Sequence, residues 1–315
     1  METKHTDADI IIIGGGAAGL TAAQYGARAN RKTLLIEEMA PGGQALIIDD
    51  LENYPGFPDK ISGFEFTQRF TEQAQNFGAE ILSATVNSIR KEGDVYVLDT
   101  TKGERRSYAV ILATGAKHRK LGVPGEDEYT GRGVSYCATC DGPFFRGKKM
   151  LVVGGGDAAC DEAMFLSKLS DSIVMVHRRD RFRAQKSLAD RVMRNASIEV
   201  RFNHVVEEIH GNGMKLNEVT LYDNSEDRRY REEFDAVFIF IGSIPQSSLA
   251  EMAEKDETGY IITDQNMETA APGLYAVGDV RATPFRQLVV AAGEGAVASH
   301  KASQYIDELE GNAYV

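Results

Sequence analysis

Two cysteines separated by two residues, Cys137 and Cys140, are followed at once by Asp141. Such a pair can close a disulfide or bind a metal. A zinc site would need two further ligands, yet the remaining cysteine, Cys160, falls in a helical stretch, and His204 and His210 lie well beyond zinc-finger spacing. The polar neighbours Thr139 and Asp141 weigh against an inert buried pair, the other alternative. The pair reads as a redox disulfide, with Asp141 placed to give or take a proton during thiol–disulfide exchange. A helix cap or turn carboxylate is the plainer role for Asp141. Cys160 reads as a small core residue.

Two glycine turns supply the second kind of chemistry. Gly14, Gly16 and Gly19 follow the apolar run ending at Ile13, and Gly154, Gly156 and Ala159 follow the run ending at Val153. In a strand–turn–helix unit the first glycine permits the tight turn and the second lets backbone approach a pyrophosphate. The third allows close packing of helix on strand, a place where alanine is tolerated. The helix N-terminus then offers free N–H groups and a positive dipole end to the phosphates. The interval from Gly14 to Glu37 equals that from Gly154 to His177. One nucleotide-binding unit therefore occurs twice. Glu37, ending the second strand of the first copy, suits ribose hydroxyls. The second copy has His177, Arg178, Arg179 and Arg183 there, and guanidinium groups would welcome a 2′-phosphate. The first site suits a dinucleotide with a free 2′-hydroxyl and the second suits NADP. A solvated basic face is the alternative for the arginines.

The elements that position these residues read as strand, glycine turn, helix and parallel strand in each copy, with helices over 20–29 and up to Leu169. Strands over Ala109–Leu112 and Ala236–Phe240 echo each other, and a helical pattern runs from Leu288 to about Leu309. The simplest parse is an α/β chain of two Rossmann-like domains, one split into 1–117 and 244–315 by an insertion spanning 118–243. The length of 315 residues is consistent with about two domains. A net charge of −12 argues against nucleic acid as the main partner. No apolar run approaches the roughly 20 residues that span a bilayer. The polar, acidic opening over 1–9 is not a secretory signal. With only three cysteines, no disulfide framework is expected, and a reducing, cytoplasmic setting is.

At these residues the chain resembles the bacterial-type, low-molecular-weight thioredoxin reductases, over essentially its whole length. The resemblance is carried by Cys137 to Asp141, His177 to Arg179 with Arg183, Gly42 to Gln44, Asn53 in its Tyr-Pro-Gly context, Ala113 to Gly115, and Gly278–Asp279 with Arg286–Gln287. It implies FAD in the split domain, NADPH in the inserted one, thioredoxin as protein substrate, and a homodimer. Gly14, Gly16, Ala17 and Gly19 would hold the FAD pyrophosphate and Glu37 its ribose. Gly43, Gln44, Asn53, Ala113 and Gly115 would line the cofactor, Val86 would lie near the adenine, and Gly278, Asp279, Arg286, Gln287 and Leu288 would flank the flavin chain and ring. Gly156, Asp157, His177, Arg178, Arg179 and Arg183 would bind NADPH. Cys140 matches the cysteine nearer the flavin and Cys137 the one that attacks thioredoxin. Two positions depart from the pattern: Ala158 replaces a hydroxyl residue near the phosphates, and Leu288 replaces a small alanine. A non-catalytic dinucleotide-responsive protein is the rival from another class, and the cysteine pair opposes it.

Overall fold

The computed structural model describes residues 6–48, 51 and 53–312. The polar opening read above as no secretory signal falls largely in residues 1–5, outside the described residues. The chain divides into two compact units, one formed by the residues up to Lys117 with those from Ile244 on, the other by His118–Ser243.

The chain begins with β1 (Ile10–Ile13), α1 (Ala17–Arg28), β2 (Thr33–Glu37), α2 (Gly63–Asn76) and β3 (Glu80–Ser83). Then come β4 (Val86–Glu92), β5 (Val95–Thr100), β6 (Arg105–Ser107), β7 (Ala109–Leu112) and β8 (Ala116–His118). The second unit holds α3 (Glu126–Tyr129), β9 (Val134–Ser135), α4 (Ala138–Asp141), β10 (Met150–Gly154), α5 (Asp157–Leu166), β11 (Ile173–His177) and α6 (Lys186–Met193). It continues through β12 (Ile198–Phe202), β13 (His204–Gly211), β14 (Leu216–Asp223), β15 (Arg228–Glu233) and β16 (Ala236–Phe240). The chain ends with β17 (Ser243–Pro245), β18 (Leu274–Ala276) and α7 (Leu288–Leu309).

Both units are built alike. The first has a parallel sheet in the order β18-β7-β1-β2-β3. Buried on both faces, β1 is four isoleucines in a row, as a central parallel strand must be. Ile10 and Ile12 pack with Ala22, Ala302 and Ile306, so helices α1 and α7 cover that face. Ile11 and Ile13 pack with Tyr96 and Leu98, so the antiparallel trio β4–β5–β6 covers the other. The second unit has the order β12-β11-β10-β16-β9. Met150 and Val152 face α5 through Ala159, Cys160 and Ala163, while Leu151 and Val153 face the trio β13–β14–β15 through Val219 and Leu221. Cys160 is accordingly a buried core thiol.

Two boundaries differ from the pattern reading. Helix α1 begins at Ala17 rather than at Leu20, because Gly16 is already its N-cap and Gly19 can sit in the first turn against the carbonyl of Gly14. Helix α5 ends at Leu166 rather than Leu169, and the last residues close in a turn. The final helix α7 runs over Leu288–Leu309 as its pattern predicts.

Candidate active site

Each parallel sheet presents its glycine turn at the carboxyl ends of its strands. At Gly14 φ is +103°, a backbone conformation that L side chains rarely adopt, and a Cβ there would overlap the carbonyl of Ala113 at the end of β7. Gly16 differs in kind: its φ of −73° suits any residue, and a Cβ on it would meet nothing within 4 Å. The open space over Gly16, at the N-terminus of α1, is where backbone could approach a pyrophosphate. Gly43 closes one side of this cradle, since its Cβ would lie 3.1 Å from Gly16 Cα. Glu37 reaches back to the turn, accepting from the N–H of Gly15 at 2.6 Å and of Met39 at 2.9 Å. The loop after β2 returns so that Gly42 N–H donates to Gly15 O at 2.7 Å.

The second unit repeats this geometry. Gly154 has φ +158°, and a Cβ there would overlap the carbonyl of Phe240 at the end of β16, which stands where Ala113 stands in the first copy. Gly156 caps α5 with extended backbone, and its Cβ too would meet nothing within 4 Å. The loop after β11 returns and Arg183 N–H donates to Gly155 O at 2.7 Å, as Gly42 does in the first copy. Asp157 accepts from Gln185 N–H at 2.7 Å and ties the same loop to the helix start. What differs is the side chain ending the second strand. His177 lies against the turn so closely that a Cβ on Gly155 would overlap its ring. His177 is 7% exposed, and its Nε2 has no hydrogen-bond partner among the described residues. Burial, and then the charges of Arg183, Arg179 and Arg178, push its imidazole below the ordinary histidine value. The three arginines themselves are exposed. An orphaned buried nitrogen, an open glycine cradle and exposed guanidinium groups at one strand end together fit a phosphorylated dinucleotide.

Cys137 and Cys140 form a disulfide in the second unit, with Cα atoms 5.3 Å apart. Cys137 is the N-cap of α4, and its Sγ accepts from Cys140 N–H at 3.2 Å and lies 3.4 Å from Thr139 Oγ1. Its own N–H donates to Ser135 Oγ at 3.1 Å. Ala138, fully buried against the core, anchors the turn from beneath. The two sulfurs are thus unequal: after reduction a negative charge on Cys137 would keep an N–H donor, which favours Cys137 as the attacking thiolate. Asp141 ends α4 and does not cap a helix with its side chain.

The remaining residues from the sequence reading fall in the first unit. Asn53 and Gln287, far apart in the chain, are joined by Asn53 Nδ2 donating to Gln287 Oε1 at 3.2 Å. Gln44 donates to the carbonyl of Ala116. Gly115 has φ +69° and its carbonyl accepts from Gln246 N–H. Arg286 stacks 4.2 Å above the Tyr260 ring. The Asp279 carboxyl is pushed up by burial, with Arg286 opposing and Glu294 adding to the shift. Val86 is buried in the core with Leu34 and Leu112, so any contact it makes with a ligand comes from its backbone. Leu288 packs onto Leu51, Ile61 and Phe66, which explains the larger side chain at that place. Sequence reasoning missed Phe182, whose ring lies between His177 and Phe202 and anchors the arginine loop. It also missed Glu294, an acid set between Gly293 and Gly295 in a run of small and apolar residues, a context that could have flagged it as buried. Among the described residues no His/Cys/Asp/Glu cluster could hold a metal.

The chain matches the model of the pyridine nucleotide-disulphide oxidoreductase family over residues 8–295. It is 53% identical over 306 residues to the thioredoxin reductase of Treponema pallidum, covering 97% of this chain and 99% of that one. It is 43% identical over 303 residues to that of Bacillus subtilis, covering 96% of each. The crystal structure of thioredoxin reductase from Streptococcus pyogenes superposes with a TM-score of 0.90 at 43% identity, covering 96% of this chain and 98% of that one.

Proposed function

Since the chain belongs to the pyridine nucleotide-disulphide oxidoreductase family, and within it to the low-molecular-weight thioredoxin reductases, we propose that it reduces the disulfide of oxidised thioredoxin with electrons from NADPH through FAD. The observation that carries this reading is a Cys137–Cys140 disulfide, with one sulfur held by an N–H, in the unit whose second strand leads into arginines beside the glycine turn. FAD would lie on Gly14, Gly16, Ala17, Gly19 and Glu37, with Gly43, Gln44, Asn53, Val86, Ala113, Gly115, Gly278, Asp279, Arg286, Gln287 and Leu288 around it. Gly156, Asp157, His177, Arg178, Arg179 and Arg183 would take NADPH. The bound flavin supplies the conversion of a two-electron hydride donor into a reductant for a disulfide. The chain's own sulfurs do the rest. Cys137 as thiolate attacks one sulfur of the thioredoxin disulfide, whose other sulfur leaves as a thiolate. Cys140 as thiolate then attacks the Cys137 sulfur of the mixed disulfide, re-forming the 137–140 bond and releasing dithiol thioredoxin. Asp141, next to Cys140 in the chain, would hold the proton that accompanies these exchanges.

A homodimer completes the proposal. A cavity of about 610 Å³ in the first unit is lined by Tyr54, Phe57, Phe70, Val289 and Ala292 among others, and Tyr25 and Val289 of its lining are exposed. A second copy would cover such apolar surface. No helix among the described residues is long and apolar enough to cross a membrane, and three cysteines suit the reducing cytoplasm where we place it. The test is direct: the purified protein should be yellow, bleach under anaerobic NADPH, and reduce thioredoxin with NADPH consumed one for one. A colourless protein that takes up no FAD ends this reading.

A further inference from the structure

We infer that Glu294, paired with Arg281, is a positioning residue for FAD, holding the Gly278–Val280 turn and with it Asp279 in register. The inference rests on the FAD reading above. Glu294 lies on α7 and is only 7% exposed, in a stretch otherwise made of small and apolar residues. Its Oε2 accepts from Gly278 N–H at 2.7 Å, and its Oε1 pairs with Arg281 Nη1. Arg281 is itself fixed by Nε donating to Thr263 Oγ1 at 2.8 Å, and its N–H donates to Gly278 O at 3.2 Å. One carboxylate therefore grips both ends of the turn, by backbone at Gly278 and by side chain at Arg281. Asp279 lies between.

The grip sits where three elements meet. Gly278, at φ +69°, has room for no large neighbour, since a Cβ there would lie 3.2 Å from that of Ala18 on α1 and 3.6 Å from that of Ala291 on α7. A Cβ on Gly295, the residue after Glu294, would overlap the Ala18 carbonyl. Ala18 belongs to the same first turn of α1 that follows the open cradle at Gly16. Glu294 thus locks the Asp279 turn to the phosphate-binding end of the unit. If the ion pair served stability alone, apolar residues of similar volume would replace it at little or no cost. What apolar residues cannot supply is an acceptor for Gly278 N–H, and that separates the two roles.

The experiment compares two double variants of the full chain, E294L/R281L and E294Q/R281L. Both remove the buried cation with its partner, and only the second leaves an oxygen facing Gly278 N–H. FAD is removed and its dissociation constant measured by flavin fluorescence, alongside the midpoint potential of the rebound flavin and the urea midpoint of the protein. E294Q/R281L should bind FAD within about threefold of the unmodified chain. E294L/R281L should bind about tenfold or more weakly with a shifted potential, whether or not its urea midpoint falls from the unpaired Gly278 N–H. If the leucine pair fails to fold, E294M/R281M takes its place in the same comparison. Equal FAD affinity and potential in the two double variants, both strong or both weak, would overturn the inference. No uptake of FAD by the unmodified apoprotein would instead overturn the reading beneath it.

Discussion

Replacing Gly156 by alanine should separate ligand binding from folding. The backbone there has φ −97° and ψ −178°, open to any residue, and the added methyl would meet no heavy atom within 4 Å. Two opposed effects act on stability. Restricting the unfolded chain stabilises by about 0.4–1 kcal/mol. Alanine is a poorer N-cap than glycine, which costs roughly 0.5–1 kcal/mol. The balance should stay within about 0.5 kcal/mol of zero. Binding should respond very differently, because the methyl stands where a pyrophosphate must meet the N–H groups of α5. Loss of one charge-assisted hydrogen bond there is worth about 1.5–3 kcal/mol. At 1.36 kcal/mol per decade that is roughly 10- to 150-fold in affinity. The assay is calorimetric titration of the oxidised protein with NADP+, which cannot reduce it, beside urea unfolding. Gly155→Ala is the contrasting variant: its Cβ would overlap the His177 ring, so it should lower stability by about 1–3 kcal/mol. Gly16→Ala should lose FAD while leaving NADP+ affinity in place. A Gly156→Ala protein that binds NADP+ as tightly as the parent would refute the cradle argument, and one that unfolds readily would refute the open-space argument.

Three further outcomes are expected. Arg178→Ala and Arg179→Ala should each raise the Michaelis constant for NADPH about tenfold or more and leave that for NADH nearly unchanged, in steady-state assays; equal use of both nucleotides by the parent would count against the assignment. Cys140→Ser should trap thioredoxin on Cys137 as a mixed disulfide seen on non-reducing gels, whereas Cys137→Ser should trap none yet keep flavin reduction by NADPH; trapping that needs Cys140 would reverse their order. His177, pushed below its ordinary value, binds protons less readily folded than unfolded, so stability should fall as pH drops below about 6.5, the unfolded value. Urea midpoints of the parent and His177→Gln, compared between neutral and acid pH, should converge as pH falls; parallel curves would remove His177 from the account.

The residues whose roles are set by backbone geometry were the most legible in the sequence. Gly14, Gly16 and Gly19 sit in a spacing that recurs at Gly154, Gly156 and Ala159 and so marks a strand–turn–helix, and four isoleucines before them identify a strand buried on both faces. Helix α7 was legible because small and apolar residues recur along it at helical spacing. The trios β4–β6 and β13–β15 were not. Their strands carry charged residues such as Arg90, Lys91, Arg228 and Arg229 on both faces, and register shifts near Val86 and Val206 interrupt the alternation. Helix α6 hides for a similar reason, burying fully only Val192. In the site, Glu37 and His177 were found from position alone, but the packing of the imidazole onto Gly155 was not, since it depends on the end of β11 meeting the turn after β10. The burial of Glu294 could be suspected from its small, apolar neighbours, but its role could not, because its partners Gly278 and Arg281 come from another segment.

The inserted segment leaves and re-enters the first unit at one spot. In the second unit Arg119 N–H donates to Gly242 O at 2.9 Å, so that unit's own entry and exit are neighbours. In the first unit Gly115 and Gln246 are likewise joined at 2.9 Å, so the gap left by excision is a single hydrogen bond wide. Neither half needs the other to close its chain, and a few linking residues would seal each at little entropic cost. Such adjacency of ends is what tolerates domain insertion and permutation. It offers a material route by which a duplicated ancestor could have lodged one copy inside the other in a single recombination event, each copy keeping its sheet, its glycine turn and its capacity to evolve a separate nucleotide preference.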